Sequence, residues 1–185
     1  MHDWLQLLRP QQWTKNGFVL APLLFSGRSV ETELLAQAFL TLLAFSVTAS
    51  GVYAINDVVD AAADRLHPVK RERPVAAGRI DPRAAAIVGG GLVLAGLGVA
   101  YTVSLPVGGL IGAYVILTAL YSAWLKSIVL LDVFSIGAFF LLRLLAGSAA
   151  VDVRSSFWLL LCGGLLSLYL GFAKRRHELG VLGSS

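Results

Sequence analysis

Long apolar runs alternate with short polar breaks along this chain, and its charges gather in the breaks. The apolar blocks occupy about 17–27, 34–55, 84–104, 106–124, 128–150 and 157–173. Crossing a hydrocarbon core of ~30 Å takes an α-helix about 20 residues, and all but the first block approach that length. The first is short and contains Pro22. Residues 2–16 mix Trp4, Leu5, Leu7, Leu8 and Trp13 with Arg9 and Lys15, which predicts an interfacial helix lying on the bilayer before the chain enters it. The third block carries Gly89, Gly90, Gly91, Gly96 and Gly98, small residues that let helices approach closely in lipid. The pattern predicts an all-α, polytopic transmembrane helical bundle, residues 1–185 forming one membrane-embedded domain of six spans.

Composition agrees. The chain is 57% hydrophobic and 14% charged, with mean hydropathy +0.76, where a soluble domain carries about 25% charge. The net charge of +4 reflects topology and does not point to nucleic acid. Arg9, Lys15, Arg65, Lys70, Arg71, Arg73, Arg79, Arg83, Lys126, Lys174, Arg175 and Arg176 fall on one side of the six-span arrangement, against Arg28 and Arg154 on the other. The positive-inside bias then places both ends of the segment in the cytoplasm, in a cell (inner) membrane. Cys162 stands alone in an apolar run, so no disulfide framework is expected. His2, His67 and His177 lack metal-ligand spacing, and residues 1–16 lack a signal-peptide core.

The densest chemistry lies between Asn56 and Gly78. If the second span continues through Asp64, then Asp57, Asp60 and Asp64 stand at i, i+3 and i+7 and share a face. Stacked carboxylates repel each other, and the helix dipole disfavours them at a C-terminus, so a divalent cation among them is the expected remedy. Mg²⁺ suits such oxygen ligands, with substrate phosphates completing its shell. Arg65, Lys70, Arg71 and Arg73 follow and suit the outer phosphate oxygens. For these bases alone, a cytoplasmic loop obeying the charge bias explains as much.

Three further features bear on the site. Arg143 falls in the middle of the fifth span, where a charge needs a partner or a polar cavity. A cavity-lining arginine that meets an anionic substrate is the preferred reading, and an ion pair with another helix the competing one. Tyr121 to Lys126 closes the fourth span with an aromatic belt and one base, which anchoring alone could explain. Lys174 and Glu178, four residues apart at the end of the sixth, share a face, although a stop-transfer charge cluster reads the same way.

Asn56-Asp57-x-x-Asp60-x-x-x-Asp64-Arg65, with Arg73-Pro74 and Gly78, resembles the first aspartate-rich motif of the UbiA superfamily of intramembrane prenyltransferases. Tyr121 to Lys126 is similar to the superfamily's Tyr-x-x-x-Leu-Lys element. Arg9-Pro10-x-Gln12-Trp13-x-Lys15-Asn16, His67-Pro68-x-Lys70-Arg71-x-Arg73-Pro74 and Lys174-Arg175-x-x-Glu178 resemble the decaprenyl-phosphate phosphoribosyltransferase branch. In the prenyltransferases proper, a second aspartate-rich motif stands where Lys174 to Glu178 stands here. Such proteins have about nine spans, so six are expected to be an N-terminal portion.

The resemblance implies transfer of 5-phosphoribose from phosphoribosyl diphosphate to a long polyprenyl phosphate. It implies Mg²⁺ on Asp57, Asp60 and Asp64, with Asn56 orienting that shell. Lys15, Lys70, Arg71 and Arg73 would steady the leaving diphosphate, and Lys174 and Glu178 the ribose or its 5-phosphate. Arg65, Tyr121, Lys126 and Arg143 complete the expected substrate contacts. The bilayer and the two substrates are the expected partners; a homo-oligomer is left open. The alternative within the family is a prenyltransferase moving a prenyl group from a prenyl diphosphate to an aromatic or other acceptor. From a different class, Arg143 and the glycine-rich spans suit a transporter, but the acidic residues gather at the membrane face and not at midplane.

Overall fold

The computed structural model describes residues 2–28 and 31–182, the side chains of Val129 and of residues 174–182 excepted. Its regular elements among the described residues are all helical. Helix α1 (His2–Leu8) leads into a 3₁₀ segment, Pro10–Leu20, and the short α2 (Ala21–Phe25). After a loop comes the 28-residue α3 (Thr32–Val59), then α4 (Ala61–Leu66). Helices α5 (Pro82–Val103), α6 (Leu105–Ala123), α7 (Val129–Ala150) and α8 (Phe157–Leu182) follow.

Local chemistry sets the boundaries. Asp81 caps α5, its Oδ2 accepting the Ala84 N–H at 3.0 Å, and Pro82 occupies the first turn, where no donor is needed. Ser104 alone separates α5 from α6; it is extended and its Oγ accepts the Val107 N–H at 3.3 Å, so the chain reverses in one residue. Four helices are long and apolar enough to cross a membrane: Thr32–Val59, Pro82–Val103, Leu105–Ala123 and Leu130–Ala150. Phe157–Ala173 is a shorter apolar stretch of α8.

The opening of the chain differs from its sequence-based expectation. No single interfacial helix covers residues 2–16, and no α-helical span covers 17–27. Arg9 adopts a left-handed backbone (φ 52°, ψ 54°) ahead of Pro10, which ends α1. The 3₁₀ segment then runs between α3 and α7. Eleven 3₁₀ residues followed by five α-helical ones extend about 30 Å at rises of ~2.0 and ~1.5 Å. That matches a hydrocarbon core with fewer residues than an α-helix needs. Arg9 meets Asp57 at one end, and Pro22 and Phe25 line a pocket with Val153 and Ser156 at the other.

Helix α3 packs most extensively on α5. A Cβ on Gly51 would stand 2.5 Å from the Gly89 carbonyl oxygen, and one on Gly96 would strike the Thr48 hydroxyl. Gly90, Gly91 and Gly98 face open space. In lipid, such backbone proximity supplies the dispersion that the hydrophobic effect does not. Gly147 does the same for α7, where any side chain would strike the Val19 carbonyl of the 3₁₀ segment. Phe45, Tyr114 and Phe139 stack in the core between α3, α6 and α7, with ring centroids 4.8 and 5.6 Å apart.

A second, smaller cluster (Leu7, Ala54, Ala61, Val75, Ile80 and Ala85) ties α1 and the 67–80 loop over one end of the bundle. Gly78 turns that loop with φ 74°, a conformation costly for any other residue. Arg79 clasps it to α1, donating to Asp3 Oδ1 at 2.8 Å and Gln6 Oε1 at 3.2 Å.

Candidate active site

The last turn of α3 carries Asn56 and Asp57 to the polar end of the bundle. At Asp60 the helix breaks, although Asp60 N–H still reaches Asn56 O at 2.9 Å and Asp64 N–H reaches Asp60 O at 2.8 Å. The α3 axis therefore shifts into α4 without unravelling. Residues seven apart on a helix differ by about 20° in direction and those three apart by about 60°. The aspartates divide accordingly.

Asp57 and Asp64 are both buried, 2% and 3% exposed, and both meet Arg73. Arg73 Nη1 lies 2.7 Å from Asp64 Oδ2 and 3.3 Å from Asp57 Oδ1. Arg9 approaches from the other side, its Nη2 2.6 Å from Asp57 Oδ1 and its guanidinium 5.3 Å from the centre of the Tyr53 ring. Asp57 Oδ2 is buried without a partner. One other described buried side-chain atom shares that state: Thr48 Oγ1, in the α3–α5 contact.

Asp60 points elsewhere. Lys126 Nζ lies 3.0 Å from its Oδ1, bringing the turn after α6 over the end of α3. Ser122 Oγ donates to Asn56 Oδ1 at 3.1 Å, and Tyr121 OH to Asp132 Oδ1 at 2.7 Å. The expected metal set of Asp57, Asp60 and Asp64 is thus not gathered at one point. No three acidic, histidine or cysteine side chains converge among the described residues.

The other expected site residues fall at varied distances from this centre. Arg65 is spent on the loop, its Nε donating to Ala76 O at 3.2 Å. Lys70 and Arg71 project from an exposed 3₁₀ turn, Arg71 Nε 3.6 Å from Glu72 Oε1. Lys15 is exposed and lies six residues into the 3₁₀ segment from Arg9, about 12 Å along it. Lys174 and Glu178 belong to α8, but their side chains lie outside the described residues.

Arg143 is packed inside the bundle. It is 5% exposed, Nε donating to Asn16 Oδ1 at 2.9 Å and Nη1 to Phe139 O at 2.6 Å. Its guanidinium sits 5.0 Å from the Phe45 ring centre and 5.3 Å from that of Tyr114. Those aromatic faces and amide oxygens hold the cation in lipid. Where the sequence suggests a substrate-facing arginine, the structure holds a packed one, because Asn16 reaches it from the 3₁₀ segment.

Sequence reasoning passed over Arg9 as a site residue, and with it the face that receives it. Ser46, Ser50, Tyr53 and Asp57 lie at i, i+4, i+7 and i+11 of α3 and form one stripe. Asn16 Nδ2 donates to Ser46 Oγ at 3.1 Å, Trp13 Nε1 to Ser50 Oγ at 2.9 Å, and Ser50 Oγ to Leu8 O at 2.8 Å. Tyr53 and Asp57 then take Arg9. Polar residues at helical spacing inside an apolar span were the available signal. Beside this stripe, Trp13, Phe39, Leu42, Leu43 and Ser46 line an apolar groove of about 380 Å³.

A hard divalent cation fits the acidic end: the open Asp57 Oδ2 is a carboxylate oxygen with unshared lone pairs, on a residue that shares Arg73 with Asp64.

The fold and this pole define a polytopic α-helical membrane protein with a buried carboxylate–guanidinium site at one end of the bundle. The chain belongs to the UbiA prenyltransferase family, whose profile matches residues 17–178. A relative from Mycolicibacterium smegmatis named decaprenyl-phosphate phosphoribosyltransferase is 35% identical over 179 residues, covering 95% of this chain and 56% of the relative. One of the same name from Mycobacterium tuberculosis is 34% identical, with 95% and 59% covered. The chain therefore spans little more than half the length of these curated relatives. The UbiA homologue from Archaeoglobus fulgidus, solved bound to DMAPP and Mg²⁺, superposes with a TM-score of 0.76 at 21% identity, over 90% of this chain and 60% of that one.

Proposed function

We propose that the protein of which this chain forms the whole or a part transfers 5-phosphoribose from 5-phosphoribosyl 1-diphosphate to a long polyprenyl phosphate, releasing diphosphate at the cytoplasmic membrane face. The observation that carries the reading is the buried, unpartnered Asp57 Oδ2 set between two arginines, in a chain about one-third identical to phosphoribosyltransferases. Asp57, beside Asp64, would hold Mg²⁺, which supplies charge neutralisation to the donor's diphosphate, while Asp60 stands apart on Lys126. Arg9 and Arg73 would take the outer phosphate oxygens of a donor, as would Lys70 and Arg71 from the exposed turn that precedes Arg73. Asn56, fixed by Ser122, orients the aspartate shell.

An acceptor phosphate oxygen attacks C1 of the ribose as the bond from C1 to the diphosphate oxygen breaks. The electron pair leaves with the diphosphate, where guanidinium groups in a partly dry site stabilise it. The acceptor phosphate is ionised at neutral pH, so no strong base has to take a proton. Its tail suits the apolar groove beside Trp13. Lys174 and Glu178 are proposed to recognise the ribose or its 5-phosphate.

The test is to give the full-length protein labelled phosphoribosyl diphosphate and labelled prenyl diphosphate in parallel, with polyprenyl phosphate present. Ribose label entering lipid is expected; prenyl label entering an acceptor instead would establish the prenyltransferase alternative. The orientation rests on the basic residues at this pole. In a Cys162→Ala background, Lys70→Cys should react with an impermeant thiol reagent only from the cytoplasmic side and Arg154→Cys only from the outer side. The reverse pattern would overturn it.

A further inference from the structure

We propose that Arg9 is a cation-exchange residue: it neutralises Asp57 while no divalent cation is bound, and turns onto an anionic phosphate ligand when the cation takes the carboxylate. This rests on the metal-binding part of the function proposed above.

Three observations lead to it. First, Arg9 and Arg73 both crowd Asp57 Oδ1, at 2.6 and 3.3 Å, while Oδ2 stays open. A cation arriving at Oδ2 would share one carboxylate with two guanidinium groups, and like charges at such separations repel strongly in a low-dielectric site. One of them has to leave. Arg73 is held by a second carboxylate, Asp64, at 2.7 Å, whereas the acidic partner of Arg9 among the described residues is Asp57.

Second, Arg9 has somewhere to go. Its side chain is 24% exposed, unlike the buried carboxylate it binds. The Tyr53 ring beneath it offers a face along which a planar cation can slide without losing all of its contacts.

Third, its backbone is fixed in an uncommon state. Arg9 has φ 52° although it is not glycine, between Leu5 O, which accepts its N–H at 3.0 Å, and Gln12 N–H, which donates to its carbonyl at 2.8 Å. Such strain persists where the surroundings over-determine it, and it clusters at functional sites. Here the Ser46 and Ser50 contacts hold the segment on either side. The pivot is rigid and the side chain is the moving part.

The consequence is reciprocal coupling: the metal frees the arginine for the anion, and the anion, by holding the arginine, clears the carboxylate for the metal. The experiment uses the purified full-length protein with Mn²⁺ and inorganic diphosphate as probes. In the wild type, modification of Arg9 by phenylglyoxal, read by mass spectrometry, should be slow without ligands. It should rise with Mn²⁺ alone and fall again when diphosphate is added. Equal modification in all three states overturns the exchange.

Arg9→Gln sharpens the result. It should bind Mn²⁺ alone more tightly, by roughly tenfold, the scale of one charge-assisted contact, and diphosphate in the presence of Mn²⁺ more weakly by a similar factor. Arg9→Lys, keeping the charge, should restore wild-type Mn²⁺ affinity. Weakening of both ligands would make Arg9 merely structural, and an unchanged Mn²⁺ affinity would make it a simple phosphate contact; either overturns the proposal. Should Mn²⁺ fail to bind the wild type at all, the metal reading itself falls. Binding without the opposed shifts removes the exchange alone.

Discussion

Arg143 in α7 and Asp57 in α3 are buried to a similar degree, 5% and 2% exposed, yet their polar atoms end differently. Arg143 is closed off: Asn16, the Phe139 carbonyl and two aromatic rings surround it, and none of its buried nitrogens lacks a partner. Asp57 keeps one oxygen open although two guanidinium groups crowd the other. Both groups lose water on burial, and that loss is recovered only through contacts. A charge whose contacts are complete holds the bundle together. One whose contacts are incomplete is poised for something that is not protein. Depth in the membrane alone does not separate the two roles, whereas completion of the contact shell does.

The sharpest way to break this distinction is at Asp57. Asp57→Asn keeps an oxygen for Arg9 and removes the charge a cation requires, so turnover of the full-length protein should fall by about 10³-fold or more, the scale of losing several kcal/mol of charge stabilisation. Its Tm in detergent should move little. Near-normal turnover would show the open oxygen to be incidental.

Arg143→Met should behave in the opposite way. It fills similar space but leaves Asn16 Oδ1 without its donor, a cost of roughly 1–3 kcal/mol that should appear as a lower Tm. Turnover per folded molecule should fall by less than about tenfold, on the same scale of one hydrogen bond. A loss matching that of Asp57→Asn would place Arg143 in the chemistry and erase the contrast.

The smallest effect is expected at the opposite pole, where exposed Arg28 grips Glu31 at 2.6 Å just before α3. The Arg28 hydrogen bond holds the Glu31 carboxyl below its usual range. A depressed carboxylate adds stability above its unfolded pKa and loses it as pH falls through the folded one. Arg28→Ala should therefore lower Tm slightly at pH 7, with the gap to wild type closing in acid. A gap that widened in acid would reverse the sign. Surface pairs of this kind contribute little, which is why this pole offers a reference for the buried two.

Much of the scaffold was legible because hydropathy blocks in lipid are nearly equivalent to helices. The blocks at 84–104, 106–124 and 128–150 match α5, α6 and α7 to within two residues at each end. The 3₁₀ segment was not legible, since its polar groups at Trp13, Lys15 and Asn16 depress hydropathy, and the partners of Trp13 and Asn16 sit on α3 and α7. At the site, the i, i+7 spacing correctly put Asp57 and Asp64 on one side. The partner of Asp60, Lys126, lies 66 residues away, and the pairing of Arg9 with Asp57 spans 48 residues. Periodicity reports which face a residue occupies on its own helix. It carries no information about which distant segment that face will meet.

The 3₁₀ segment has a consequence for how the protein is made. Its first half, Pro10 to Asn16, carries Gln11, Gln12, Trp13, Thr14, Lys15 and Asn16, and such a sequence does not partition into a bilayer unaided. A 3₁₀ ladder also leaves its carbonyls less well satisfied than an α-helix would. The acceptors that make the segment tolerable in lipid, Ser46 and Ser50, are synthesised some thirty residues later, on α3. The 3₁₀ segment is therefore expected to settle into the bundle only once α3 is there to receive it. A mutation in the serine stripe of α3 is therefore expected to show itself first in the seating of the 3₁₀ segment, before it disturbs α3 itself.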